Sequence, residues 1–314
     1  MNNFDIFADS SANLPDELTE SYDIQIIPYT CIVNGAEKPA AAAGTPFQTL
    51  AKAHYAMMRA GADTKTSLIG ESAFVKALTP SLEAGRDVLL VTITASISGT
   101  NAQAMRARET LLKQYPDRNI FIVDSANASL GEGLLVLGAA KQRAAGADVS
   151  AAAQWVEDNK YLLNSQVTVA ELKYLHRSGR VSGILAFAGA LLNLKPMLRA
   201  DGSTPAKLVV YGKEKGRKKA LAELLRAFDA GVVDLPSQTI AIAHADCEEE
   251  ALALRDELVA RGASDVIVEY YDLCTGSHVG PGTIALFYFG KDRRAALVPE
   301  KRPLLVRRKN PVKT

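Results

Sequence analysis

No segment restricts the fold of this chain more than Val88 to Ala104, VLLVTITASISGTNAQA, in which an apolar run gives way to Ser98-Gly99-Thr100 and then to a helical pattern. The residues Val88 to Thr94 are all β-branched or leucine, the composition of a parallel strand covered on both faces. Ala95 to Thr100 is its opposite: small, hydroxyl-bearing residues with a glycine that lets backbone approach closely. Strand, polar loop and helix in that order place unpaired N–H groups just beyond the strand's carboxyl end, where open α/β sheets bind anions. Simple capping of the helix by Ser98 or Thr100 explains the same residues. Repetition favours the ligand reading, because comparable loops recur along the chain.

The fold class implied is α/β. Strand-like runs at Phe4–Ala8, Ile24–Tyr29, Val88–Thr94 and Asn119–Val123 alternate with helical spacing at Pro46–Ala60, Ala73–Leu82, Asn101–Gln114 and Leu130–Arg143, as in a parallel sheet. After a helix over Ser150–Leu162, a second set of strands is expected at Gln166–Ala170, Lys207–Tyr211, Thr239–His244, Asp265–Tyr270 and Ile284–Phe289. Helices are expected there at Gly183–Leu192, Lys215–Phe228 and Glu248–Arg261. This order is less regular and predicts a mixed sheet. With 314 residues the chain exceeds one average domain. The expected division is an N-terminal α/β domain over 1–162, a C-terminal α/β domain over 163–291 and a basic tail over 292–314. The alanine-rich Glu37–Thr45 receives no assignment.

Charge excludes one class of function. The 36 basic and 35 acidic residues leave a net charge of +1, so no global field recruits nucleic acid or a membrane surface. The exception is the tail, with six Lys or Arg and one acid from Glu300 to Thr314; a disordered or loosely docked segment is the plain reading, and a phosphate or partner contact is the minority one. The three cysteines, Cys31, Cys247 and Cys274, are far apart and lack metal-ligand spacing, which predicts neither a disulfide frame nor a zinc site and suits a reducing compartment. MNNFDIFADSS has no basic or apolar leader pattern, and Ile184–Leu194 is about half a membrane span. A cytoplasmic protein is expected.

Four polar loops fall at strand ends or helix starts in the first half: Asp9-Ser10-Ser11, Thr66-Ser67, Ser98-Gly99-Thr100 and Asp124-Ser125. At one sheet edge their hydroxyls would converge on a crevice; singly, each is also a common turn or cap. Three sequences in the second half add candidates. LKYLHRSGRVS (172–182) sets Arg180 after Gly179, where an arginine could fork onto a carboxylate or phosphate and a helix C-cap explains the glycine equally well. KEKGRKK (213–219) reads as a solvated helix start. SHVGPG (277–282) places His278 beside a stiff Gly-Pro-Gly turn that would hold it rigidly.

Together these motifs resemble the DegV family. DSSANLP (9–15), KTS (65–67), ITASISGTNAQA (93–104), VDSANASLGEG (123–133), LKYLHRSGRVS (172–182), LLNLKPML (191–198) and SHVGPG (277–282) occur in the family's order over roughly residues 3 to 291. The resemblance implies two α/β domains holding one long-chain fatty acid, such as palmitate, stearate or oleate, in a tunnel between them. It further implies a non-enzymatic, cofactor-free subunit of a bacterial fatty acid kinase, serving phospholipid metabolism. Such a subunit presents the carboxylate to a separate ATP-binding kinase subunit, with no nucleic acid partner and at most transient membrane contact. Carried over residue by residue, the carboxylate contacts fall to Thr66, Ser98 and His278, with Ser67 and Gly99 as neighbours adding backbone contacts. Arg180 and Arg217 resemble family arginines near the tunnel mouth, where a phosphate or the partner would be met. The chain departs from the family in following Thr66-Ser67 with Leu68-Ile69, where Gln-Pro is frequent, and in residues 37–45; both bear on the tunnel lining and on chain length.

Other classes leave weaker marks. A hydrolase with Ser98 as nucleophile would need His278 as base, and no GxSxG elbow is present. Phosphoryl transfer by this chain alone would need a nucleotide site, and no GxxxxGK[ST] occurs. A fatty-acid carrier or sensor with no kinase role needs the same tunnel and stays open.

Overall fold

The computed structural model describes residues 4–39, 46–182 and 193–297. The first half contains, in chain order, β1 (Phe4–Asp9), α1 (Asp16–Ser21), β2 (Ile24–Ile27), β3 (Thr30–Val33), β4 (Ala36–Pro39), α2 (Phe47–Arg59), β5 (Thr64–Ser67), α3 (Glu71–Glu83), β6 (Asp87–Thr92), α4 (Thr100–Gln114), β7 (Ile120–Asp124), α5 (Leu130–Ala144) and α6 (Val149–Asn159). The second contains β8 (Leu163–Thr168), α7 (Leu172–Ser178), β9 (Val181–Ser182), β10 (Leu194–Ala200), β11 (Leu208–Lys215), α8 (Arg217–Gly231), β12 (Thr239–His244), α9 (Glu248–Ala260), β13 (Asp265–Tyr270), α10 (Leu273–Val279) and β14 (Ile284–Phe289).

Three sheets organise these elements. The parallel sheet has the order β2-β1-β6-β7, with β1 and β6 at its centre. Both central strands are buried along almost their whole length, which accounts for the continuous apolar run at Val88. The mixed sheet has the order β13-β12-β14-β8-β10-β11-β9; β12 pairs with β13 in parallel, and β14, β8, β10 and β11 follow antiparallel. A small antiparallel sheet, β4-β3-β5, stands apart.

Helix α5 joins the two larger sheets. It touches β1 and β6 on one side and β8, β12 and β14 on the other, so it is buried nearly all round. An apolar helix with no polar face is the expected sequence for that position. Its approach needs Gly133: a Cβ there would stand 2.3 Å from the carbonyl oxygen of Ala12. One continuous core consequently runs from Phe4 and Leu89 through Leu135 to Val167 and Phe287. A second core lies between the mixed sheet and α8 and α9, around Leu224, Phe228, Ile240 and Leu258.

Several expectations shift. The strand expected at Gln166–Ala170 is Leu163–Thr168, that expected at Lys207–Tyr211 runs on to Lys215, and the helix expected at Lys215 begins at Arg217. The KEKGRKK cations therefore fall on the end of β11 and the start of α8. Glycine 179, at φ 64°, ends α7 as a left-handed C-cap, and the chain continues into β9. The helix expected at Gly183–Leu192, residues 40–45 of the alanine-rich segment and residues 298–314 of the tail lie outside the described residues. Residues 292–297, read as part of a loose tail, are anchored. Arg293, only 6% exposed, donates to the carbonyls of Asp201, Ala126 and Lys160 at 2.8, 3.2 and 2.7 Å. Among the described residues, no helix is long and apolar enough to cross a membrane.

Candidate functional site

A cavity of about 270 Å³ lies between the carboxyl edge of the parallel sheet and the near face of the mixed sheet. The loops after β1, β6 and β7 contribute Ser11, Ile93, Thr94, Ile97 to Gly99 and Ala126 to Ser129, as the recurrence of polar loops predicts. Across from them stand Val167 of β8, Leu208 of β11, Phe287 of β14 and the face of α10. The lining is mostly aliphatic and aromatic, with hydroxyls both on the loops, as Ser11 and Ser98, and on the facing elements, as Thr66 of β5, Ser165 of β8 and Thr275 of α10.

Two of the four loops owe their shape to the carboxylates of Asp9 and Asp124. Asp9 takes hydrogen bonds from the backbone N–H of Ser11 at 3.0 Å and of Ile93 at 2.8 Å, stitching the end of β1 to the end of β6. Asp124 does the same between Ala126, at 2.8 Å, and Ala95, at 3.2 Å. In both Asp-Ser pairs the turn-forming reading of the aspartate holds. Ser11, one residue beyond the first pair, is the side chain in the cavity wall.

The Thr66-Ser67 loop has a different origin from the one expected. It ends β5 of the small sheet, outside the parallel sheet, and the fold brings it to the cavity from the opposite side. There Thr66 Oγ1 meets His278 Nε2 at 2.8 Å. His278 itself sits in the last turn of α10, and the Gly-Pro-Gly turn follows that helix. The expectation of a turn holding the histidine is corrected to a helix holding it, with glycine ending the helix just beyond. Burial first, and the charges of Arg180 and Arg177 next, push the imidazole down to about 4, so it is neutral at pH 7.

Ser98 lines the same cavity and belongs to a second hydroxyl group. Its Oγ lies 2.9 Å from Thr100 Oγ1 and 3.4 Å from the Tyr29 hydroxyl, which itself donates to Thr100 Oγ1 at 2.8 Å. Neither Ser98 nor Thr100 is the cap of α4, whose N-cap is Gly99 with no side-chain bond; Ser98 Oγ instead accepts from Thr100 N–H at 3.3 Å in a local turn. Gly99 approaches the other strand end: a Cβ on it would stand 3.3 Å from Leu68 Cδ2. Ser67 is exposed beside this contact.

The two arginines separate. Arg180 is exposed and lines the cavity, with its Nη1 on the Ser178 carbonyl at 2.5 Å. Arg217 does not line the cavity. Its fork is occupied by Glu250, with Nε to Oε1 at 3.0 Å and Nη2 to Oε2 at 2.7 Å, tying α8 to α9. The expectation that Arg217 stands near the mouth is not met by this arrangement.

Residues that sequence reading missed are those brought in by tertiary contact alone. Tyr29 reaches Thr100 across 71 residues, and Cys274 and Thr275 enter because α10 turns one face to the cavity. Behind Ser11 lies Glu132, fully buried on α5 and accepting from Ser11 Oγ at 2.5 Å. Burial, then the charge of Asp9, raises its carboxyl well above the usual range. A carboxyl raised in the folded state binds a proton that the unfolded chain has released, so its contribution falls as pH rises above the unfolded value near 4.5. Glu132→Gln removes that titration. Its stability relative to the parent, measured by urea unfolding, rises between pH 5 and pH 8 by up to about 1.4 kcal/mol per pH unit; a difference independent of pH would show that Glu132 titrates as it does in the unfolded chain.

Fold and cavity define a class: an α/β protein of two joined sheets enclosing an apolar cavity, with hydroxyls and a neutral histidine in its wall. Among the described residues no cluster of side chains is arranged to hold a metal ion. Residues 3–291 match the family described as uncharacterised proteins of the DegV family. A DegV domain-containing protein of Clostridium perfringens is 36% identical over 291 residues, covering 92% of this chain and 98% of its own. A DegV protein from Thermus thermophilus, solved as a study of fatty acid binding, superposes with a TM-score of 0.80 at 27% identity over 92% of this chain and 100% of its own. DegV from Bacillus subtilis, described as a fatty acid binding protein, gives a TM-score of 0.77 at 26% identity over 93% of this chain and 100% of its own. The chain belongs to the DegV family.

Proposed function

We propose that this protein binds one long-chain fatty acid in the cavity, its carboxylate held by Thr66, Ser98 and His278, and presents it to a separate ATP-dependent kinase subunit that makes the acyl phosphate. One observation carries the reading: the Thr66–His278 contact at 2.8 Å and the Ser98 hydroxyl share the wall of a single, mostly apolar cavity. The fatty-acid-binding relatives from Thermus thermophilus and Bacillus subtilis support it. Hydrogen bonds to a charged group contribute about 1.5 to 3 kcal/mol each when sheltered from water. Burial of the chain contributes more: at about 0.8 kcal/mol per methylene, a sixteen-carbon acid such as palmitate gains roughly 10 kcal/mol before ordering costs. Stearate and oleate fit the same chemistry. Ser67 and Gly99 add backbone contacts, and Arg180, exposed at the cavity, is the arginine placed to meet a phosphate or the partner.

In this reading the chain is a binding subunit with a domain division at 162/163, where it passes from α6 into the first strand of the mixed sheet. Its setting is cytoplasmic, which its three free thiols suit. The serine-hydrolase alternative is disfavoured by the pairing itself: Ser98 is bonded to Tyr29 and Thr100 while His278 is bonded to Thr66, so among the described residues His278 is not bonded to Ser98 as its base. A carrier or sensor without a kinase would use the same cavity. Calorimetric titration of delipidated protein with palmitate and with its methyl ester tests the carboxylate site. The acid binds at least ten-fold more tightly than the ester; equal affinity would remove Thr66, Ser98 and His278 from the reading. With ATP present, acyl phosphate forms only when the kinase subunit is added.

A further inference from the structure

Two of the three cysteines, 243 residues apart in sequence, meet in the fold: Cys31 Sγ and Cys274 Sγ lie 3.2 Å apart, both buried. Their position relative to the head-group residues follows from register. Cys31 on β3 is directly opposite Thr66 on β5, so the two side chains share one face of the small sheet. Cys274 and His278 are four residues apart on α10 and share one face of that helix. The sulfur contact, from β3, and the Thr66–His278 contact, from β5, are therefore parallel links between the small sheet and α10. Cys274 also lines the cavity, which gives a small solute a route to the buried pair. Cys247 differs: its thiol points at the carbonyl of Thr283, 3.4 Å away.

We propose that Cys31 and Cys274 form a redox-modification site, a dithiol that a small two-electron oxidant of the peroxide class converts into a disulfide joining β3 to α10. The sulfur of Cys274, on the cavity side, attacks one peroxide oxygen; the O–O bond breaks, one water leaves after protonation, and a sulfenic acid remains. The sulfur of Cys31 then attacks that sulfur, the S–O bond breaks, and the second water leaves. In balance, two thiols and one peroxide give one disulfide and two waters, with each sulfur oxidised by one electron and the peroxide reduced by two. The sulfurs must close by roughly 1 Å to reach bonding distance. Cys274 is held well above the ordinary thiol range by its hydrogen bond with Cys31 and by burial, so the reaction is slow compared with that of an exposed, activated thiol.

The test uses the full chain, purified under reductant, desalted, exposed to hydrogen peroxide, then denatured and alkylated. The count of alkylatable thiols by intact mass falls from three to one, and tryptic mapping without reductant finds the Cys31 peptide linked to the Cys274 peptide. Cys247→Ser still forms the link; Cys31→Ser and Cys274→Ala do not. Three alkylatable thiols after treatment, a link through Cys247, or separate oxidation of Cys31 and Cys274 without a link would each overturn the proposal. Mapping on the parent chain decides the matter even where a cysteine variant fails to fold.

Discussion

His278→Ala binds a long-chain fatty acid roughly ten- to a hundred-fold more weakly than the parent, because one charge-assisted hydrogen bond of about 1.5 to 3 kcal/mol is lost while the buried chain still holds. The variant also loses a pH dependence. In the free protein burial and the neighbouring Arg180 and Arg177 keep the imidazole down at about 4. A carboxylate at bonding distance favours the imidazolium and raises that value by about one to three units. The complex then binds more protons than the free protein between about pH 4 and pH 7, so parent affinity rises as pH falls from 7.5 to 5.5. Asp9, pushed up to about 6 by burial, also titrates in this window, and its ionisation opposes an anion nearby. The slope that remains in His278→Ala belongs to the buried carboxyls Asp9, Glu132 and Asp272, all raised by burial, and the difference between the two proteins isolates the histidine. Affinities measured at pH 5.5 and 7.5 check this; identical slopes would place His278 outside the carboxylate contact.

Gly280→Ala produces the largest loss of stability among changes at the site. Gly280 ends α10 with φ 84° and ψ 163°, a region almost closed to other residues. An alanine Cβ there would also stand 2.1 Å from Cδ2 of Tyr174. That ring cannot easily yield: it is 4% exposed, its hydroxyl donates to the Met58 carbonyl at 3.2 Å, and Lys173 and Arg177 lie over its ring. Backbone strain of about 1 to 3 kcal/mol and overpacking of a similar size add to about 2 to 6 kcal/mol. In a chain of this length Tm falls by roughly 3 to 9 °C. Because α10 carries His278, fatty acid affinity falls with it. Gly212→Ala, whose Cβ would meet Met197 at an ordinary 3.8 Å, leaves Tm nearly unchanged and serves as the control.

The legible part of this protein was its periodicity. The central parallel strands, the helices α2 to α6 and the strands β12 to β14 all carry apolar patterns that depend on local neighbours, and their positions are read to within a few residues. The small sheet went unread for two reasons: β5 pairs with β3 across more than thirty positions, as between Val33 and Thr64, while β3 and β4, four residues each, form a local hairpin whose Asn34-Gly35 turn is a sequence signal left unused. Helix α10 is short, begins at the Asp272 cap and contains Gly276, so the glycines around His278 read as a turn. The site divides in the same way. The hydroxyl loops announce themselves at strand ends, whereas Tyr29, Glu132 and the Cys31–Cys274 contact exist only because distant elements pack together. Arg217, set near the mouth by family resemblance, is held in a pair with Glu250 that only the packing of α8 on α9 brings about.

The most direct measurement is of what the protein carries when purified. Native mass spectrometry of the intact chain, followed by organic extraction of the denatured protein, is expected to find about one long-chain fatty acid per chain. The Ser98→Ala and His278→Ala proteins retain less of it through the same purification. A parent protein that is free of lipid, and that takes up no fatty acid when offered one, would contradict the account.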